Sequence, residues 1–357
     1  MSINLHNINI VEISSLCQFK ALVTIFNDKN QHCALFTSTL WFEAWIDIFW
    51  QDNWLLKSYA IYENEELIAL APLYIKKEKS FPFIRTLHLI GQGEPEKSGV
   101  ASEYGDIFIT KGYEQATYPL LVKLLSSIKF DDMVARAVFS DSHISKIMSL
   151  LSGKHLTRSF ARYYVTTNNF ALQDLSKNTR SRINRSRNQL NQLSAEVRWL
   201  TSEELNQLWP QLVEFHQSRW QGKGSHGAFF STEFNLFHQG LIKNQKHSVA
   251  ASAIFVNNMP IAIHYYLVDK STYYFYQSGW NEDQYAKYSP SFYLHYWSID
   301  NCPCVNYDFM MGGLKKSYKA KFCSEATPMQ SLVLTKNISK DILNKIINKI
   351  KNKIFKY

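Results

Sequence analysis

One carboxylate stands among aromatic rings. Asp308, in the run VNYDFMMGG, lies between Tyr307 and Phe309. Burial beside such rings raises a carboxyl's proton affinity and suits it to general-base work; the same Asp could instead bond the Gly312-Gly313 loop. Upstream, Ser289-Pro290 has the composition of a helix start, since Ser is a favoured N-cap and Pro fits the first helical position. The free N–H groups and positive dipole end of such a helix suit a phosphate. His264 shares a strand face with Ala262 and Tyr266, pointing either into a cleft or into a polar part of the core. His216 and Trp220, four residues apart, share a helix face, and the Gly-rich run QGKGSHGAFF after them is of the kind that shapes a substrate mouth. A hydrogen-bonded core histidine fits His216 equally well. Finally, Arg180, Arg182, Arg185 and Arg187 crowd one stretch, with no Asp or Glu from 175 to 195. A solvated helix usually mixes charge signs to gain i,i+4 pairs, so this stretch points to an anionic ligand.

These groups need a scaffold, and the stretch from His247 to Tyr318 supplies most of it. VAASAIFV, IAIHYYLVD and TYYFYQSGW are rich in β-branched, aromatic and alanine residues and are separated by turn residues, the pattern of a three-stranded antiparallel meander. A polar loop follows, then a helix from Ser289 to about Asp300, then the strand VNYDFM. Residues 203–220 read as another helix, with Pro210 kinking it or marking its start. In the first half, apolar residues at 40, 41, 44, 45, 48 and 49 predict a helix over 38–50 capped by Ser38 or Thr39. Strands are expected at 54–62, 67–75, FIRTLHLIG, YGDIFIT and MVARAVF, and helices at 113–128 and 142–151. The hairpin from Ala60, AIYENEELIALAPLYI, aligns without a gap with AIFVNNMPIAIHYYLV from Ala253. Ala60, Ile61, Asn64, Ile68 and Ala69 are identical to Ala253, Ile254, Asn257, Ile261 and Ala262. Unrelated strands recruit the same few apolar residues, but each hairpin also precedes a strand, a loop and a helix. The chain is therefore read as two related α/β domains.

The later stretch resembles the cofactor-binding half of the GNAT superfamily of acyl-CoA-dependent N-acyltransferases. Within it, the CelD-type branch, associated with cellulose biosynthesis and related to Fem-type aminoacyltransferases, is the most similar. The resemblance rests on Pro260-Ile261-Ala262, Tyr273 to Tyr276, Ser289-Pro290-Ser291, and Tyr307-Asp308-Phe309 through Gly312 to Tyr318-Lys319. His216, Arg219, Trp220, Gly222 and Phe229 match a further family segment. Ser291 stands where the family usually has Gly, and Met310-Met311 where a basic residue is usual.

The resemblance implies an α/β fold of two tandem GNAT-like domains, each a mixed, mostly antiparallel central sheet flanked by helices. Their expected extents are 1–165 and 166–335, with a basic tail over 336–357. It implies an enzyme that moves an acetyl or longer acyl group to a primary amine of an amino sugar, a polysaccharide precursor or an amino acid. Acetyl-CoA or acyl-CoA would be a co-substrate, with no tightly bound cofactor. The site roles it implies place Tyr276 and Gln277 on the pantetheine strand, and Lys287, Tyr288, Ser289 and Ser291 at the pyrophosphate. Asp308 would be the base, Tyr318 the acid for the departing thiolate, and His264 a third catalytic residue. His216, Arg219 and Trp220 would meet substrate, and Arg180 and Arg182 the CoA phosphates or an acidic acceptor. A Fem-type transferase, taking an aminoacyl group from charged tRNA to a cell-wall precursor, is the alternative; the arginine stretch favours it and the lack of a long helical-hairpin insertion opposes it. A non-catalytic binding protein on the same fold accommodates the changes at Ser291 and Met310.

Composition sets the bounds. A chain of 357 residues, 46% hydrophobic and 15% aromatic, is globular and long enough for two domains. No apolar run reaches the length of a membrane span, and the N-terminus lacks the basic start and apolar core of a signal peptide, so a cytoplasmic protein is expected. Cysteines at 17, 33, 302, 304 and 323 match neither a disulfide framework nor a zinc pattern; reduced, mostly buried thiols and no metal site are expected. Of the net charge of +9, the tail from 336 contributes +6 and residues 177–188 +5, leaving −2 elsewhere. That distribution excludes a generally nucleic-acid-coating surface. In the tail, Ile338, Ile342, Ile346, Ile350 and Ile354 recur every four residues among lysines, an amphipathic helix. It either docks on the second domain by its isoleucines or lies on an anionic membrane surface.

Overall fold

The computed structural model describes residues 7–31, 34–314, 317–323 and 326–345. The chain divides into two compact units. One comprises Met1–Glu94, Ala101–Ser159 and Pro328–Tyr357, the other Pro95–Val100 and Phe160–Thr327. In chain order the first unit holds β1 (Ile8–Glu12), α1 (Leu16–Asn30), α2 (Thr39–Phe49), β2 (Leu55–Leu56), β3 (Tyr59–Glu63), β4 (Glu66–Ala71), β5 (Leu73–Lys77), β6 (Arg85–Leu89), β7 (Phe108–Ile109), α3 (Glu114–Ser127), β8 (Asp132–Phe139) and α4 (His143–Leu150). Strand β9 (Lys154–Thr166) carries the chain across to the second unit. There follow α5 (Lys177–Gln192), β10 (Glu196–Trp199), α6 (Ser202–Gln221), α7 (Thr232–Asn244), β11 (Val249–Val256), β12 (Met259–Val268), β13 (Thr272–Trp280), α8 (Glu282–Tyr285), α9 (Pro290–Asp300) and β14 (Asn306–Gly312). Strand β15 (Ala326–Thr335) returns to the first unit.

The sequence repeat is a structural repeat. In the second unit β11, β12 and β13 form the antiparallel meander, β13 runs parallel to β14, and β14 is antiparallel to β9. In the first unit β3 pairs antiparallel with β4, β5 with β6, β6 runs parallel to β8, and β8 is antiparallel to β15. Between β4 and β5 stands only Pro72, which has no N–H to give to a ladder. The two hairpins agree residue by residue. Ile61 pairs with Ala69 as Ile254 pairs with Ala262, and each ladder shifts register just after that isoleucine. Asn64 and Asn257, aligned in sequence, both turn with positive φ, 56° and 52°. The architecture is thus two related units of mixed, mostly antiparallel sheet flanked by helices, the first unit's strands being split at Pro72 between the sheet β1-β3-β4-β7 and the sheet that holds β2, β5, β6, β8 and β15.

The units do not follow the expected cut at 165. Each takes its last strand from the other half of the sequence: β9 pairs with β14 of the second unit and β15 with β8 of the first. Two further expectations change. Helix α6 starts at a capping box, Thr201 with Glu204, and runs through Pro210 rather than starting there. In the tail, a helix begins at residue 338 within the described residues, but Ile338 and Ile342 are 50% and 53% exposed. The contacts are polar and belong to the first unit: Lys340 Nζ lies 3.2 Å from the Asp131 carboxylate, and Lys336 donates to the Leu125 carbonyl at 2.9 Å. Ile346, Ile350 and Ile354 lie outside the described residues.

Strand β12 is buried almost throughout. Successive residues point to opposite faces. Tyr265 meets Trp209 of α6 and His238 of α7, while His264 and Tyr266 meet Ser291 and Ser298 of α9. Covered on both faces, it fixes the helices that build the site.

Candidate active site

The parallel strands β13 and β14 are in register only from Thr272–Asn306 to Tyr274–Asp308. Beyond that point β13 runs on to Trp280, while β14 bulges and Met310 takes φ 60°. Beside β13, a cavity of about 280 Å³ is lined by Arg182 of α5, Arg219 of α6, Ser278 and Trp280 of β13, Ala286, Ser289, Ser291, Phe292 and His295 of α9, and Tyr318. Five residues singled out in the sequence meet here: Arg182, Arg219, Ser289, Ser291 and Tyr318.

Helix α9 begins as expected, but its cap differs. Ser289 is left-handed (φ 48°, ψ 48°) and makes no side-chain cap bond; its hydroxyl instead accepts from Arg182 Nη2 at 3.2 Å. The Ser289 carbonyl takes the N–H groups of Phe292 and Tyr293. Pro290 has none to give, and the N–H of Ser291 has no acceptor among the described residues. The Arg182 guanidinium lies 4.1 Å over the Phe292 ring, and burial followed by the charge of Arg185 lowers its pKa. Ser186 donates to the Tyr288 carbonyl, so the arginine-rich helix is fastened to the turn. Two guanidinium groups and an open helix end, with no carboxylate in the lining, attract an anion.

Behind this lining lies a buried polar network. Ser291 Oγ is 2.9 Å from His264 Nε2, and His264 Nδ1 is 3.3 Å from the Tyr266 hydroxyl. Tyr266 in turn donates to Ser298 at 2.9 Å. The extra hydroxyl at 291 therefore serves an internal bond. His264 is wholly buried, does not line the cavity, and is held down to a pKa of about 3 by desolvation, with Arg219 adding to it. His295, which the sequence reading passed over, does line the cavity. Its Nδ1 is 2.9 Å from the Tyr307 hydroxyl, and its ring centroid is 4.4 Å from that of His264. The signal for it was the spacing: Ser291 and His295 are four apart and share a helix face.

Asp308 plays a different part from the one its neighbours suggested. It is fully buried, accepts from Arg162 Nε at 2.7 Å with one oxygen and from the Met310 N–H at 2.7 Å with the other, and does not line the cavity. Lys319 donates to the carbonyls of Phe309 and Met311. Both side chains hold the bulge that turns β14 away from β13. Tyr318 lines the cavity although its residue is 41% exposed, and desolvation keeps its phenol above the ordinary value.

The remaining expected residues lie elsewhere. The Tyr276 hydroxyl donates to the Val100 carbonyl at 2.6 Å, its ring packs on His238 at 4.7 Å, and it is absent from the lining. Gln277 hydrogen-bonds His216, which is buried and held at a pKa of about 4 mainly by desolvation. The Lys287 ammonium sits 4.9 Å over the Tyr288 ring. Arg180 donates to the carbonyls of Gln173 and Leu175, and Trp220 is an exposed ring beneath Lys223. Helix α6 presses so closely on β13 that a Cβ on Gly279 would stand 2.6 Å from the Leu212 carbonyl; this contact brings Arg219 to the lining. A neighbouring cavity of about 420 Å³ shares Arg219 and Trp280 and adds Glu214, Glu282 and Asp283. A further cavity of about 620 Å³ contains none of the expected residues.

The first unit has the same parallel pair, and there its own residues bond across the end of the pair. Beyond His88–Val134, Gln92 bonds the backbone of Arg136 in both directions, at 2.7 and 2.9 Å, and the Tyr104 N–H donates to the Ala137 carbonyl at 2.8 Å. The unit's own loop occupies the edge of β8.

Among the described residues no His/Cys/Asp/Glu cluster could hold a metal, and no helix is long and apolar enough to cross a membrane. Contrary to expectation, none of the four described cysteines is buried: Cys17 is exposed, and Cys302, Cys304 and Cys323 are partly so.

Residues 177–320 match the family model of the acetyltransferase (GNAT) domain. The chain is similar to the crystal structure of FemX, with TM-score 0.60 and 12% identity over 94% of this chain and 99% of that one. It is also similar to a conserved protein of unknown function from Bacteroides thetaiotaomicron, with TM-score 0.53 and 12% identity over 92% of this chain and 100% of that one. At such identities the likeness is one of fold. No curated protein sequence matches.

Proposed function

We propose that the protein is an acyl-CoA-dependent N-acyltransferase of CelD type, with one acyl-transfer site at the diverging ends of β13 and β14. The observation that carries this reading is the cavity itself, where an open helix end and two arginines face a gap between parallel strands. The N–H of Ser291, with Arg182 and Arg219, takes the pyrophosphate of the acyl-CoA. The free edge of β13 beyond Tyr274 offers backbone groups to the pantetheine. Tyr318, kept protonated by its surroundings, gives its proton to the leaving thiolate. The thioester arrives activated, so positioning supplies much of the rate. The acceptor is a primary amine, of an amino sugar, a polysaccharide precursor or an amino acid.

Calorimetry with acetyl-CoA and longer acyl-CoAs tests the reading. Arg182→Ala and Arg219→Ala should each weaken binding about 10-fold or more, the size of a charge-assisted hydrogen bond. No binding of any acyl-CoA by the folded wild type removes the hypothesis. Tyr318→Phe should lower kcat about 100-fold with little change in KM, as expected for a proton donor acting in the transition state. An unchanged kcat would strip Tyr318 of that role.

The arginine-rich α5 beside the cavity favours the second reading, Fem-type transfer from aminoacyl-tRNA. Filter binding across salt concentrations separates the two, because phosphate-driven binding weakens steeply as salt rises. We place the enzyme in the cytoplasm, at an anionic membrane face reached through the exposed Ile338 and Ile342 and the tail lysines. Flotation with anionic vesicles should be lost on removing residues 338–357; equal flotation of both proteins excludes the tail as an anchor.

A further inference from the structure

The acyltransferase reading leaves one step without a group. The attacking nitrogen must lose a proton, and Asp308, committed to Arg162 and the Met310 N–H, does not line the cavity. One neutral nitrogen base does. His295 lines the cavity, its Nδ1 is held by the Tyr307 hydroxyl at 2.9 Å, and no described residue hydrogen-bonds its Nε2. Its ring lies 5.4 Å, centroid to centroid, from that of Tyr318 on the same lining. His264, 4.4 Å away, has both nitrogens engaged by Ser291 and Tyr266.

We propose that His295 is the proton acceptor for the incoming amine, with Nε2 presented to the cavity and the ring fixed through Nδ1 by Tyr307. This rests on the acyltransferase reading and supplies its missing base. The amine nitrogen bonds to the thioester carbonyl carbon while its proton passes to His295 Nε2. The carbon–sulfur bond then breaks, and Tyr318 gives its phenolic proton to the sulfur. The imidazolium proton returns to the Tyr318 oxygen, so the nitrogen has lost one proton, the thiol has gained one, and both side chains are restored.

The charged and titratable groups around His295 are Arg219 from α6, Arg182 from α5, His264 from β12, Tyr307 from β14, and Tyr318 and Lys319 beyond it. Desolvation, then the charges of His264, Lys319 and Arg219, hold its pKa well below the ordinary histidine value. Anionic phosphates on Arg182 and Arg219 would cancel part of that positive field. The base is therefore strengthened by the co-substrate that requires it.

The test follows the imidazole nitrogens by NMR in protein labelled at histidine, titrated with pH with and without coenzyme A. The His295 signal is assigned by its loss in His295→Asn, which keeps a hydrogen-bonding group toward Tyr307 and removes Nε2. The expected result is that, between pH 8 and 5.5 where the protein is folded, protonation of His295 sets in at a higher pH with coenzyme A than without it. With glucosamine as probe amine, His295→Asn should lose about 100-fold in kcat at little-changed KM for acetyl-CoA. Tyr307→Phe, which lets the ring turn, should lose less and shift the same signal. A His295 signal whose titration between pH 8 and 5.5 is unmoved by bound coenzyme A, or a His295→Asn kcat within about threefold of wild type, overturns the proposal alone. The wild-type titration needs no acceptor and decides the matter where glucosamine is not turned over. Absence of all coenzyme A binding overturns the acyltransferase reading and this proposal together.

Discussion

Acidified to pH 5, the protein should unfold. Five histidines, His88, His216, His238, His264 and His295, are buried, and desolvation lowers the pKa of each below its usual value. The unfolded chain takes up protons near pH 6.5, whereas in the folded protein His216 stays neutral to about pH 4 and His88, His238 and His264 to about pH 3, with His295 held down in the same direction. Between those limits the unfolded state binds more protons, so stability falls as pH falls. At pH 5 each of those four costs about 2 kcal/mol, or about 8 kcal/mol together, and His295 adds to it in the same sense. Asp106 works the other way. Burial pushes it up to about 7 despite three backbone N–H donors, so its protonation returns about 3 kcal/mol of stability at pH 5. The net loss is comparable to the whole stability of an ordinary domain, about 5–15 kcal/mol. Denaturant titrations from pH 8 to pH 4.5 check this: a midpoint independent of pH over that range would contradict the buried neutral histidines.

Arg162→Met should be the most damaging single change near the site. It removes the 2.7 Å guanidinium partner of the fully buried Asp308 carboxylate, and breaking a buried pair from one side typically costs about 3–5 kcal/mol. Asp308→Asn should cost less, because the amide oxygen still accepts from the Met310 N–H and Arg162, 20% exposed, can reach water. Replacing both with apolar residues of similar size should recover much of the loss. Were Asp308 the catalytic base, the pattern would invert, with activity abolished by Asp308→Asn at unchanged stability and Arg162→Met comparatively mild. Urea midpoints and initial rates on the same three proteins distinguish the two outcomes.

The repeat, the meander and helix α9 were legible because each is local. Strand alternation, the Asn turns and the Ser-Pro start are all written within a few residues. What escaped depended on distant partners. Strands β9 and β15 carry ordinary strand composition, and nothing in them says which half of the chain will receive them. Asp308 was visible as a buried carboxylate, but its partner Arg162 stands 146 residues away and belongs to no motif. Arg182 was found because charge clustering is readable along the chain, and Arg219 because it falls in a segment that resembles the family. His295 was missed because its meaning comes from Tyr307 and His264, on two separate strands. Of the two readings of Pro210, a helix start is excluded for a local reason: the capping box at Thr201 and Glu204 marks the helix start more strongly than a proline does.

The crossed final strands decide the order in which a ribosome can finish this molecule. The second unit has all its strands once Gly312 has emerged, because its closing partner β9 was made long before. The first unit is begun first, yet the edge of β8 stays open until residues 329–335 are synthesised. At translation speeds of about 5–20 residues per second, that edge waits roughly ten seconds or more for its partner. An unpaired strand edge is a template for pairing with other chains, so the nascent first unit is the vulnerable intermediate. A fragment ending at 165 would keep that vulnerability permanently and should aggregate, whereas the same fragment supplied with a β15 peptide should gain solubility.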